Sequence, residues 1–132
     1  MIYLGIDYGS KRIGIAYSEE SGSIAMPLTV LKNDKQIIEN ILTIVKEKKT
    51  ECVVVGESKD LKGNDNPISK DIEKFKKNLE EKNIRVEYER EFFTSMHATE
   101  GGGDKIDASA AALILQRYLD RQKHKETSAT FK

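Results

Sequence analysis

The chain has 132 residues, enough for one domain with a real core and too few for two of ordinary size. Its 22 lysines and arginines balance 22 aspartates and glutamates, which excludes a uniformly basic body that grips a polyanion by charge alone, so any nucleic-acid contact must come from local patches. The single cysteine excludes an internal disulfide, and no apolar run approaches the ~20 residues needed to cross a bilayer; the expectation is a cytoplasmic protein with no targeting segment and no membrane partner.

Residues 2–6 are apolar on both faces, as in a strand buried inside a sheet, and the run ends in a carboxylate, Asp7. Gly9 then lets the backbone reverse into a second strand over 12–18. Residues 24–31 read as a third strand, and Pro27 within it predicts an edge position, where its missing donor is not needed. Asn33 or Asp34 can cap a helix running to about Lys48, with Ile37, Ile38, Ile41, Leu42 and Val45 on one face. Cys52 heads a β-branched run, 52–56, that reads as a fourth strand buried on both faces and ending at Glu57; the thiol itself reads as a small buried hydrophobe.

Beyond a polar loop, Asn66-Pro67 opens a second helix lined by Ile68, Ile72, Phe75 and Leu79, its opposite side a solvated surface of lysine and glutamate. Residues 84–88 alternate as a fifth strand, and Thr94 or Ser95 is a candidate cap for a short helix before the Gly101–Gly103 loop. From Asp104 onward, Ala108, Ala111, Ala112, Leu115, Tyr118 and Leu119 form the apolar stripe of a last helix. The stretch 122–132 is polar and aperiodic, so the expected organisation is a domain over 1–121 followed by a disordered tail. Three strands followed by strands alternating with helices predict an α/β fold whose later strands run parallel to the first. If strands one and four are neighbours, their carboxyl ends bring Asp7 and Glu57 together.

Several readings of Asp7 are open at this point. An Asp before a Gly closes an Asx-type turn, Asp-x-Gly hairpins also embrace nucleotide phosphates, and a carboxylate at a sheet mouth suits a metal ion. The other carboxylates favour the metal: Glu57 after strand four, Glu91 after strand five, and Asp104 and Asp107 at the start of the last helix. Mg2+ or Mn2+ bridging a phosphate needs hard oxygen ligands from several segments and little else. Asp104 suits an N-cap, and negative charge in a first helical turn is favourable by ~0.3–1 kcal/mol. Asp107, however, precedes Ala111 by one turn and so belongs to the stripe that faces the sheet. His97 and His124 lack a partner at ligand spacing, and no zinc site is expected.

Residues 7–16 (DYGSKRIGIA), 53–56 (VVVG), 91–98 (EFFTSMHA) and 107–116 (DASAAALILQ) together resemble the YqgF/RuvX family of Holliday-junction resolvases, over nearly the whole chain and in the family's order. The resemblance implies an RNase H-like fold with a five-stranded mixed sheet, a metal-dependent phosphodiesterase site, and a role in processing the 5′ end of the small-subunit ribosomal RNA precursor or in resolving branched DNA. Asp7 and Asp107 match the family's acidic positions, and Glu91 matches the Glu before its Thr-Thr or Thr-Ser pair. Three departures stand out. Glu57-Ser58 replaces the Leu-Pro of most members and puts a carboxylate where related RuvC resolvases and RNases H carry one. Arg90 replaces the acidic residue that usually precedes the matched Glu, and the segment before Asp107 is shortened to a Gly-rich loop.

The expected activity is therefore that of a Mg2+- or Mn2+-dependent nuclease acting on structured RNA or branched DNA. Asp7, Glu57 and Asp107 are expected to hold metal with Glu91 or Asp104 assisting, and Lys11 and Arg12 to contact phosphate. A homodimer is expected if the substrate is a symmetric four-way junction. The alternatives are a non-catalytic nucleic-acid-binding or ribosome-assembly factor of the same fold, and a nucleotide-using ATPase or kinase. The last is disfavoured because the chain has one Asp-Tyr-Gly hairpin and the length of one domain.

Overall fold

β-branched runs and helical stripes of apolar residues sort into three layers in the computed structural model, which describes residues 2–58, 67–91 and 108–130, with only the backbone for 57, 58, 67–69, 90, 91 and 124–130. The described strands are β1 (Tyr3–Tyr8), β2 (Arg12–Ser18), β3 (Ala25–Lys32), β4 (Cys52–Ser58) and β5 (Val86–Glu91), in one sheet of order β3-β2-β1-β4-β5. The described helices are α1 (Ile37–Lys48), α2 (Pro67–Glu81) and α3 (Ala108–Thr130). β2 pairs antiparallel with β1 and β3, while β4 pairs parallel with β1 and β5. This is the expected α/β architecture. β3 lies at an edge, and its exposed Pro27 faces Ala16 where the register shifts between Ile15 and Ala16.

The alternation of each central strand divides the core in two. Leu4, Ile6, Ile13, Ile15, Val53 and Val55 join Ile37, Ile41, Ile72, Phe75 and Leu79 on the side of α1 and α2. Ala16 and Val54 join Ala111, Ile114, Leu115, Tyr118 and Leu119 on the side of α3. Each fully buried aliphatic side chain contributes about 1.5–3 kcal/mol relative to exposure, so both faces of β1 and β4 are committed to packing until the strands near their carboxyl ends.

Local chemistry moves several boundaries. The residue before α1 is Gln36, with no side-chain cap; Asp34 makes an Asx turn instead, its Oδ1 accepting from the Gln36 N–H at 2.9 Å. Asn33 is not a cap either, because its side chain serves the β1–β2 turn. α2 closes through Asn83 in the left-handed region (φ 65°), and the Ile84 N–H donates to Leu79 O at 3.2 Å. Ile84 thus belongs to the helix-closing turn, and β5 starts two residues later than the alternation predicts.

The backbone of α3 runs on through the polar stretch after Arg121 to Thr130. Gln122, Lys123, Lys125 and Glu126 are good helix formers with no glycine or proline among them, which favours continuation of the helix. The expected short helix near Thr94 and the Gly101–Gly103 loop lie outside the described residues. No described helix is long and apolar enough to cross a membrane.

Candidate active site

The apolar commitment ends one pleat beyond Gly5. Tyr3, Gly5 and Asp7 share the α3 face of β1, and Asp7 is 9 % exposed. Its partner in β2 is Gly14. In β4 the pairing reaches Ile6 with Val55, and the next rung sets Asp7 beside Gly56, which is itself paired with Glu89 of β5. Across the middle of the sheet the row therefore reads Gly14, Asp7, Gly56, Glu89. The residues flanking Asp7 carry no side chain. Glu89 lies two strands, about 10 Å, from Asp7. At 5 % exposure it pairs with the guanidinium of Arg121 from α3. That partner offsets the cost of burying a carboxylate.

α3 runs antiparallel to β1 on this face. The Tyr118 ring lies 5.6 Å from that of Tyr3, and further along the strand a Cβ on Gly5 would stand 2.7 Å from Leu115 Cβ and 2.9 Å from Ala111 O. Continuing the same progression, the first turn of α3, which opens at Ala108, approaches the level of Asp7. Asp107 and Asp104 lie outside the described residues; in sequence Asp107 directly precedes Ala108.

The remaining expected site residues fall as follows. β1 and β4 are neighbours, as the crossover argument requires. Position 57, however, alternates with Val53 and Val55, which face α1 and α2, whereas Asp7 faces α3. Strand neighbourhood alone therefore does not put Asp7 and Glu57 on one face. Glu91 ends β5 in the alternate set of Glu87 and Glu89, the set of the α3 face. Lys11 is exposed in the β1–β2 turn, and Arg12, also exposed, opens β2 in the alternate set of Gly14 and Ala16, on the face of Asp7. Among the described residues no three His, Cys, Asp or Glu side chains gather to hold a metal ion.

Sequence reasoning missed three contributors. The Glu89–Arg121 pair joins residues 32 apart in sequence, although the alternation of Glu87, Glu89 and Glu91 was a visible signal of an acidic strand face. Asn33 clasps the β1–β2 turn, its Nδ2 donating to Gly9 O at 2.8 Å and its N–H to Lys11 O at 3.0 Å. Lys32 stands directly across from Arg12. At the other end of the sheet, burial pushes the Cys52 thiol up to about 11 and the Tyr118 hydroxyl up to about 12, so neither is primed for chemistry near neutrality.

The chain is similar to known proteins in sequence and in fold. A sequence model of the family described as "RuvX: Holliday junction resolvase" matches residues 1–121. A Sulfurihydrogenibium protein named "Putative pre-16S rRNA nuclease" is 35 % identical over 129 residues, covering 89 % of each chain. A protein of the same name from Thermoanaerobacter pseudethanolicus is 34 % identical and covers 95 % of this chain and 100 % of its own. Among solved structures, Thermus thermophilus RuvC in complex with a Holliday junction substrate superposes with a TM-score of 0.59 at 17 % identity, over 93 % of this chain and 96 % of that one. The fowlpox virus resolvase bound to Holliday junction DNA gives 0.56 at 14 % identity, over 92 % and 99 %. These likenesses establish the RNase H-like fold. With the family pattern matched from residue 1 to residue 121, the chain belongs to the RuvX family.

Proposed function

We propose that the protein is a nuclease that hydrolyses phosphodiester bonds in structured nucleic acid, with Asp7 at the centre of its active site. The observation that carries this reading is a 9 %-exposed carboxylate on the middle strand, flanked in its row by two glycines, at the end where the first turn of α3 approaches the sheet. The absent side chains of Gly14 and Gly56 leave the row on either side of the carboxylate open at backbone width. The relatives named for pre-16S rRNA and the resolvases bound to junction DNA supply the substrate classes, structured RNA and branched DNA.

Hard oxygen donors fit Mg2+ or Mn2+, and Asp7 with Glu57, Asp104 and Asp107 are the proposed holders, assisted by Glu91. When bound, such an ion supplies an acidified water and neutralises charge on the phosphate. Asp7 is the fixed member of the set, since its strand is packed on both faces. Glu91 shares its face by register, and Asp107 adjoins the helix that packs on Gly5. Glu57 can join them only if the pleat breaks after Gly56.

The test is a cleavage panel of structured RNA and four-way DNA in Mg2+ and in Mn2+. The expected outcome is cleavage that Asp7→Asn abolishes; full activity in that variant removes the site. Salt-sensitive binding with no cleavage in either ion would instead identify a binding factor of the same fold. A symmetric junction demands two active sites, so junction cutting goes with a homodimer and RNA cutting does not require one; light scattering beside the panel reads this out. Substrates of this class and a lone, buried thiol fit a reducing cytoplasm.

A further inference from the structure

A pair of like charges sits at the end of the sheet. Arg12 opens β2, Lys32 closes the edge strand β3, and the register sets them directly opposite. Side chains so paired have Cβ atoms ~4.5–5.5 Å apart, and two cations at that spacing repel. Both are exposed, and among the described residues neither is in an ion pair. Lys11, also exposed, adjoins Arg12, and the two hydrogen bonds from Asn33 tie its turn to the residue after Lys32. Three cations are thus held together in a chain whose net charge is zero. Opposite charges across that rung would attract, whereas these two cations gain nothing from each other. An exposed cluster of cations clasped in place beside the carboxylate row suits an anionic ligand.

The ligand's position follows from the pleat. Arg12 and Gly14 share the α3 face, and Gly14 is the partner of Asp7, so Arg12 stands one pleat repeat, about 7 Å, beyond the row of the carboxylate. We infer that Lys11, Arg12 and Lys32 form a clamp for backbone phosphates on the β3 side of Asp7, with Lys32 and the Asn33 clasp completing it. This rests on nucleic acid being the ligand of the Asp7 site and specifies the side from which the strand enters. The clamp reads phosphate, which RNA and DNA share, and not bases.

The test measures binding of labelled structured RNA and labelled four-way DNA in EDTA across a salt series, so that it is independent of cleavage. The Arg12→Gln/Lys32→Gln chain is expected to bind more weakly, with the slope of log K against log salt reduced by about 1.4–1.8, and Lys32→Gln alone by about half of that. Lys32→Arg should retain the parental slope. Lys46→Gln removes the same charge from an exposed site on α1, on the other face of the sheet, and should leave the slope unchanged. A loss on every probe that the parent chain binds supports the clamp; a loss on one bound probe with a parental slope on the other overturns it. A parental slope in the double variant, an equal loss in Lys46→Gln, or no salt-dependent binding by the parent chain overturns it. Asp7→Asn with full cleavage would sink the catalytic assignment and leave these slopes standing, so the two failures are distinguishable.

Discussion

Replacing Gly5 by alanine tests whether the core positions the site. The added Cβ would meet Leu115 Cβ at 2.7 Å and the Ala111 carbonyl oxygen at 2.9 Å, where ordinary contacts begin near 3.4 Å. Neither atom is the free end of a flexible side chain, so α3 must move off the sheet by roughly 1 Å. Overpacking of this kind costs about 1–3 kcal/mol, against which alanine recovers about 0.5–1 kcal/mol through the unfolded chain. The expected net loss of about 1–2 kcal/mol lowers Tm by roughly 4–7 °C in a domain of this size. Thermal and urea unfolding read this out. Leu115→Ala should not rescue the variant, because the clashing Cβ is the atom alanine keeps. Cleavage should fall further than stability does, about 10²-fold, since a displacement near 1 Å at the first turn of α3 misplaces the carboxylate proposed there. A Gly5→Ala protein with parental Tm and activity would refute both the close approach and its link to the site.

Two further outcomes follow from buried groups. Arg121→Ala leaves Glu89, 5 % exposed, without its cation; because the guanidinium side chain is 59 % exposed, water replaces part of it and the loss should be about 1–2 kcal/mol by urea unfolding, below the 3–5 kcal/mol of a fully buried pair. Equal midpoints for variant and parent would show that the pair carries nothing. Cys52 keeps its proton in the folded chain up to about 11 while the unfolded thiol loses it near 9, so the native state binds more protons in that window and stability must fall as pH rises through it, by up to about 3 kcal/mol. Cys52→Ala should flatten that decline in pH-dependent unfolding; parallel curves would contradict it.

Where periodicity and burial act together, the fold was readable from the sequence. Ile37 and Ile41 on α1 and Ile72, Phe75 and Leu79 on α2 are buried at the predicted spacing, and Pro27 marked the edge strand before any pairing was known. The errors arose where a polar side chain had two uses. Asn33 looks like a helix cap from its neighbours, and only the return of β3 beside the β1–β2 turn gives it Gly9 as a partner. Lys32 carries no sequence signal of its own, and only the register sets it across from Arg12. Strand order makes β1 and β4 neighbours, as the sheet has them, but strand order does not fix pleat phase. Residues 53 and 55 face one core and Asp7 the other, a distinction of one residue in register that composition does not encode.

That distinction bears on how the site is built. A strand buried on both faces offers its charges to one side only after the core has ended, and the two cores end at different heights. On the α3 side β1 packs closely at Gly5, and the next residue of that face is the buried carboxylate of Asp7, with Glu89 engaged by Arg121 in the same row. On the α1 and α2 side, Tyr8 still packs with Phe75, ring centroids 5.1 Å apart, at the level where position 57 would lie. Apolar contact therefore persists on the α1 and α2 side as far as Tyr8, one residue past Asp7. By register, position 91 is in phase with Asp7 and position 57 is not, so of the two strand-end carboxylates proposed for the site only Glu57 would need a break in the pleat to join it.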